Sequence, residues 1–401
     1  MGRSLKEQKR IGLVLSNVPG YSETFFRNKI KVLQKAGFQV VLFVDYLGTI
    51  NKDFGCDVIV GKDFGAGWPK KIHYIFIAII KSVFLHPLRS LKLYRLNKQD
   101  GVDFKANIRQ LILNQFFLNA NVEWLHFGFG MLSVGRENVA QAIKAKMAVS
   151  FRGYDLYLSP LKHPGCYDLL FKKEVRYHVL SHEMKEDLKV KGITESKIYV
   201  ITPAIDISFF KKDVNTGSDK DTKLKLLTVS RLHWKKGLEY TLEALAKLKG
   251  AGIPFHYTVI GTGEELERLV FAAHQLNITD VVTFAGRMEP IAVREHLAAS
   301  DVYLQYSVQE GFCNAVLEAQ AMGLLCVVSD AEGLAENVLD GKTGWVVPKR
   351  NPQLLSEKII EVMQLPKVVK NNIINKAIYR VQNEFYLDKQ EMEFVNFYQN
   401  L

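Results

Sequence analysis

The stretch DVYLQYSVQEGFCNAVLEAQAMGLLCVVSD (Asp301–Asp330) reads as strand, loop, helix and strand. Asp301–Ser307 is strand-like, and Leu324–Asp330 has the near-continuous apolar run of a buried parallel strand. Between them, Asn314 is placed to cap a helix and Gly323 to end it in the left-handed conformation. Two carboxylates, Glu310 and Glu318, stand eight positions apart, one in the loop and one in the first turns of the helix. A helix N-terminus offers unpaired N–H groups and partial positive charge, which suits a phosphate. Carboxylates beside it are acceptors for the hydroxyls of a sugar or a ribose. Taken alone, the stretch fits equally an amphipathic helix with a solvated Glu on each side. Its place after a parallel strand is where open α/β sheets bind ligands.

Upstream, LKLLTVSRLHWKKGLEYTLEAL (Leu224–Leu245) repeats the strand, loop and helix order. Arg231 and Lys236 lie five apart in that loop, with Gly237 ahead of the helix. A planar guanidinium and an ammonium at a helix N-terminus suit a diphosphate, and their charge can stabilise a leaving phosphate without a metal. In most proteins two such cations alone are solvated surface. FHYTVIGTGEELERLV (Phe255–Val270) carries a G-x-G turn, but Leu266 stands where a dinucleotide fingerprint needs its third glycine, which disfavours a nicotinamide dehydrogenase.

A chain of 401 residues, 48% hydrophobic and 11% aromatic, is long enough for two globular domains. The four cysteines (Cys56, Cys166, Cys313 and Cys326) lack metal-ligand spacing and argue for a reducing compartment. The apolar run Ile11–Leu15 is too short for a signal peptide and reads as a first strand. The net charge of +11 is uneven. Residues 1–200 carry 31 Lys/Arg against 17 Asp/Glu (+14), and residues 201–401 carry 22 against 25 (−3). A basic half implies an anionic partner, and no nucleic-acid recognition module is present. Lys70–Lys98 holds seven Lys/Arg and no Asp/Glu around the apolar run Ile72–Ile80, about half the length needed to span a bilayer. It reads as a helix lying on a membrane surface, or as a surface helix packed on its own domain.

The remaining N-terminal segments give β-α-β units: IGLVL, a turn at Pro19-Gly20, a helix with Phe25, Phe26, Ile30 and Leu33 on one face, then the strand Gln39–Tyr46. Val122–Gly130 and Met147–Asp155 are further strand-and-loop units, with a helix expected over 133–146. A short strand over 177–180 leads into a helix running to about Lys191. The polar run Lys211–Lys223 reads as a linker.

In combination and order, these segments resemble the retaining glycosyltransferases of family 4, in the exopolysaccharide and colanic-acid-type branch. Glu310 to Glu318 matches that family's E-x7-E motif, and SRLHWKKG (Ser230–Gly237) its G-R-L-x3-K-G, with Ser230 for the first Gly. SETF (Ser22–Phe25), His126-Phe127-Gly128 and Phe151–Asp155 match its N-terminal loops, with Arg152 where many members have His. Pro203–Phe210 resembles its hinge, and Ala331–Val338 with Asp340–Pro348 its closing turns. The resemblance implies an α/β fold of GT-B type, two Rossmann-like domains with parallel sheets facing across a cleft. The expected limits are an acceptor-binding domain over 1–205, a nucleotide-sugar domain over 206–384, and a helix over 385–401 crossing back to the first domain. It implies a metal-independent hexosyltransferase with no cofactor, using a UDP- or GDP-sugar as substrate and a glycan or lipid-linked acceptor. It places the enzyme in the cytoplasm, peripheral on the inner face of the plasma membrane. Arg231 and Lys236 would hold the diphosphate, Glu318 the ribose, and Glu310 the donor sugar. Gly311, Phe312, Cys313 and Asn314 would add N–H groups, and Arg287 and Met288 would hold the base. Arg152 and His126 would face the cleft from the other domain, although His126 by itself fits equally a hydrogen-bonded core imidazole. The competing readings are a GT-B epimerase or phosphorylase, and a non-catalytic nucleotide-sugar-binding subunit.

Overall fold

The computed structural model describes residues 9–19, 24–46, 55–61, 68–211 and 223–399. Gly20, Ser22 and Glu23, and most of the 211–223 linker, lie outside the described residues. The chain divides into two compact units. The first takes Met1–Val179, Lys185–Ile201 and Glu391–Leu401, and the second Leu180–Met184 and Thr202–Gln390. The changes at 201/202 and 390/391 replace the expected limits at 205/206 and 384/385.

The first unit is built on a seven-stranded sheet of β1 (Arg10–Asn17), β2 (Gln39–Tyr46), β3 (Asp57–Val60), β4 (Trp124–Phe127), β5 (Lys146–Ser150), β6 (Val175–Val179) and β7 (Ile198–Val200). Its order is β3-β2-β1-β4-β5-β6-β7, and every pair is parallel. The central strands are buried on both faces, which explains why they read as continuous apolar runs. Helix α1 (Thr24–Lys35) packs Phe26, Ile30 and Leu33 on this sheet. The basic segment folds as α2 (Trp68–Ile80), a π-helical turn at Lys81–Leu85, and α3 (Pro87–Gln99). Pro87 at the first position of α3 forbids a continuous helix. Helix α4 (Phe104–Asn114) starts at Asp103, whose carboxylate accepts from the N–H groups of Lys105 and Ala106 at 3.0 Å each.

The helix expected over 133–146 does not form. Gly130–Ser133 is a 3-10 turn and Val139–Ala142 a single α-turn, separated by Gly135 at φ +74°. The C-terminal helix runs from Leu387 to Gln399 and follows a separate helix, Lys367–Glu384. Its last turns place Phe394, Phe397 and Tyr398 in the core of the first unit.

The second unit carries β8 (Leu224–Val229), β9 (Phe255–Ile260), β10 (Val282–Gly286), β11 (Val302–Gln305), β12 (Leu325–Ser329) and β13 (Trp345–Val347). They pair in the parallel order β10-β9-β8-β11-β12-β13. The order reverses between β8 and β11, which in an open α/β sheet opens a crevice at the strands' carboxyl ends.

Candidate functional site

The residues singled out in the second unit follow the strands at that reversal. Arg231 and Lys236 are in the loop after β8, and Glu310 is in the loop after β11. Sequence-distant loops approach closely because glycines let backbone meet backbone. Gly237 sits at φ +60° and ends the 3-10 turn Trp234–Lys236, where a Cβ would lie 2.1 Å from the Tyr306 carbonyl oxygen. At Gly333 a Cβ would lie 1.8 Å from the Gly311 carbonyl oxygen. The Val308 N–H donates to the Lys235 carbonyl at 2.7 Å, tying the two loops together.

This approach pairs the Lys236 ammonium with the Glu310 carboxylate. Their side chains are only 14% and 15% exposed, so each charge depends on the other. Burial pulls the ammonium toward neutrality, but the Glu310 carboxylate overrides it, and the Lys236 pKa ends above its ordinary value. The Glu310 N–H donates to Glu332 at 3.0 Å, and Lys349 bonds the other oxygen of Glu332 at 3.2 Å. Arg231 is exposed, and its guanidinium makes no ion pair or hydrogen bond among the described residues.

The helix Asn314–Ala321 begins one residue earlier than a cap at Asn314 would give. Cys313 is the N-cap and its side chain does not cap the helix. Asn337 braces the position instead, accepting from the Cys313 N–H at 2.9 Å and donating to its carbonyl at 3.0 Å. Gly311, Phe312 and Cys313 are buried, and Asn314 is partly exposed. Glu318 is partly buried one turn into the helix, and burial pushes its carboxyl up to about 7 from an ordinary 4.5. Arg287 is exposed after β10, and Met288 packs against the cluster around Leu227 and Ile260.

Glu318 supplies a first expected result. Because its folded pKa lies above the unfolded one, the folded state holds an extra proton between about pH 4.5 and 7, and stability falls as pH rises through that window. Glu318→Gln should therefore raise the unfolding free energy at about pH 8, by about 2 kcal/mol after allowing for partial exposure, and leave it nearly unchanged near pH 4.5. Denaturant titrations at the two pH values check this.

In the first unit the structure corrects the expectation for His126. Its ring is fully buried rather than presented to a substrate. Nε2 lies 2.8 Å from Ser150 Oγ, which lies 2.7 Å from His178 Nδ1, and His178 Nε2 donates to the Ile201 carbonyl at 3.1 Å. On the other side, Nδ1 is 2.5 Å from the Tyr398 hydroxyl and 3.3 Å from the Lys29 ammonium. Burial holds Lys29, His126 and His178 well below their ordinary pKa values, so both imidazoles stay neutral. This network joins α1, β4, β5, β6 and the C-terminal helix, and sequence spacing gave no sign of it. Arg152 is partly exposed and stacks over the rings of Phe25 at 4.2 Å and Phe26 at 5.6 Å, which brings the start of α1 to the RGYD segment. Asp155 accepts from the N–H groups of Arg152 and Met131, and burial lifts its carboxyl to about 6.

Residues 210–380 match the model for the family described as glycosyl transferases group 1. The chain is 26% identical over 394 residues to the putative colanic acid biosynthesis glycosyltransferase WcaL of Escherichia coli K12, covering 94% of this chain and 96% of that one. It is 24% identical to the amylovoran biosynthesis glycosyltransferase AmsK of Erwinia amylovora, over 86% and 88% of the two chains. Among solved structures, HepE of Anabaena, in complex with UDP and glucose, superposes with a TM-score of 0.71 at 16% identity, covering 98% of this chain and all of that one. The fold is therefore of GT-B type, and residues 210–380 are similar to the glycosyl transferases group 1 family.

Proposed function

We propose that this chain is a glycosyltransferase, a retaining, metal-independent member of family 4. It moves a hexose from a UDP- or GDP-sugar to a growing polysaccharide or lipid-linked oligosaccharide. The observation that carries this reading is the buried Lys236–Glu310 pair beside the exposed Arg231 at the reversal point of the second sheet. In this scheme Arg231 and Lys236 hold the diphosphate and stabilise its charge as the bond to the sugar breaks. Glu310 orients both Lys236 and the sugar hydroxyls, and Glu318 accepts from the ribose. The departing phosphate takes the acceptor proton, so the scheme uses no separate side-chain base. Relatives with colanic acid and amylovoran in their names support an exopolysaccharide acceptor. The first unit binds that acceptor, and its basic segment contacts the cytoplasmic face of the membrane. No helix among the described residues is long and apolar enough to cross a membrane.

The test is a thermal-shift panel of UDP-, GDP-, ADP- and dTDP-sugars with and without EDTA, followed by transfer assays. Stabilisation by one nucleotide class, unchanged by EDTA, is the expected result. Stabilisation abolished by EDTA would refute metal independence. Binding without turnover on any acceptor would favour the non-catalytic reading.

A further inference from the structure

The loop after β8 is pinned at both ends, and His233 stands at the join. Toward its start, the Leu232 N–H donates to the Thr262 carbonyl at 3.0 Å and the Glu265 N–H donates to the Leu232 carbonyl at 3.2 Å. These bonds fasten that half to the loop after β9. Toward its end, the Lys235 carbonyl accepts from the N–H groups of Val308 at 2.7 Å and Gln309 at 3.3 Å, next to Glu310. Between the two, His233 opens the 3-10 turn Trp234–Lys236. Its carbonyl accepts from the Lys236 N–H at 2.9 Å, and its ring Nδ1 accepts from the Lys235 N–H at 3.2 Å. The imidazole is thus the cap of the turn that presents Lys236.

A backbone N–H only donates, so Nδ1 carries no proton and the neutral ring holds its hydrogen on Nε2. Nε2 lies 3.6 Å from the Glu264 carboxylate. The usual caps, Ser, Thr, Asp and Asn, keep their acceptor throughout the neutral pH range. A histidine does not. A second proton lands on Nδ1, turns the acceptor into a donor and sets it against the Lys235 N–H. The charged groups facing the ring are Lys235 and Arg231 from its own loop, and Glu264 and Glu265 from the loop after β9. Burial, with the Lys235 and Arg231 charges, outweighs the two acids and pulls the ring below its ordinary 6.5. The side chain is 25% exposed, so solvent protons reach it. The turn is capped at neutral pH and loses its cap in acid.

We propose that His233 is a positioning residue for the donor diphosphate, a proton-sensitive cap that holds the Lys236 turn in place and releases it on acidification. It touches no substrate atom itself. This inference rests on the transferase reading and adds to it a control on donor binding.

The cap is tested by nitrogen NMR of the His233 ring in the full chain. At about pH 8 Nδ1 should be unprotonated, and it should gain a proton below about pH 6.5 while the Lys235 amide shifts with the same midpoint. A ring with its proton on Nδ1 at about pH 8, or a Lys235 amide that ignores the titration, would overturn the cap. Its effect on the donor is read by calorimetric titration of UDP-glucose and GDP-mannose, whose phosphates stay fully ionised between about pH 5 and 8. Asn presents an acceptor at the same place in the side chain as Nδ1 and keeps it in acid. At about pH 8, His233→Asn should bind within ~3-fold of wild type, and His233→Ala at least ~3-fold more weakly. Between about pH 8 and 5, wild type should lose at least ~3-fold more affinity than His233→Asn. Glu318 titrates in the same window, but it does so in both proteins and cancels in their ratio. Equal losses, or a wild type that gains on the variant in acid, would overturn the switch. If neither donor binds wild type at either pH, the transferase reading fails, and the ring spectra alone decide the cap.

Discussion

Lys236→Ala is expected to unfold more easily by about 3 kcal/mol, because it leaves the Glu310 carboxylate buried without its counter-charge. The same variant should lose ~10²–10³ in turnover with a nucleotide sugar, the usual scale for removing one preorganised group that stabilises developing charge. The two losses have separate origins. Lys236→Met combined with Glu310→Leu replaces the pair by apolar groups of similar size, which restores most of the stability because no lone charge remains. That double variant should still be inactive. Denaturant unfolding and steady-state kinetics on the three proteins decide the matter. A single variant as stable as wild type would show that the pair is hydrated in solution. An active double variant would remove both residues from the chemistry.

Arg231→Ala should produce a comparable fall in turnover, ~10²–10³, with almost no change in stability. The side chain is exposed and pairs with nothing among the described residues, so its removal leaves no buried group unsatisfied; surface changes of this kind stay within about ±0.5 kcal/mol. Arg231→Lys should recover only part of the activity, since an ammonium keeps the charge and loses the planar fork. The contrast with Lys236 separates a group held in place by the fold from one whose partner is the substrate. Near-wild-type kinetics in Arg231→Ala would end the diphosphate assignment.

The placement of the loops that carry Arg231, Lys236 and Glu310 was legible in the chain because its determinants are local. Arg231, Lys236 and Glu310 lie in the loops after strands that the sequence marks, β8 and β11, and the helices that follow begin within a few residues. The reach of Gly333 to Gly311 was not legible, because it depends on a contact between loops after different strands. His126 was left undecided between a cleft residue and a core imidazole for a related reason. Its partners Lys29 and Tyr398 lie 97 and 272 positions away, and a histidine read beside its neighbours alone does not reveal them. Helix α4 was missed although Asp103 ahead of FKANIRQLILN is a readable cap. Its two flanks serve solvent-facing surfaces rather than a core, so the apolar spacing that marks a packed helix is blurred. The break between α2 and α3 was readable at Pro87, but the length of the basic apolar run obscured it.

The last residues of the chain complete the first unit. Tyr398 bonds His126 and accepts from the Trp124 indole at 3.2 Å, Arg176 donates to the Phe397 carbonyl at 2.5 Å, and Phe394 and Phe397 are core residues. During synthesis these groups are absent when Ile201 emerges and arrive about 190 residues later. At ~5–20 residues per second, that delay is roughly 10–40 s. For that interval the nascent sheet carries an uncovered apolar face and two imidazoles without their final neighbour. The order of translation therefore lets the second unit reach a finished core first, while the first unit waits on residues from Glu391 onward.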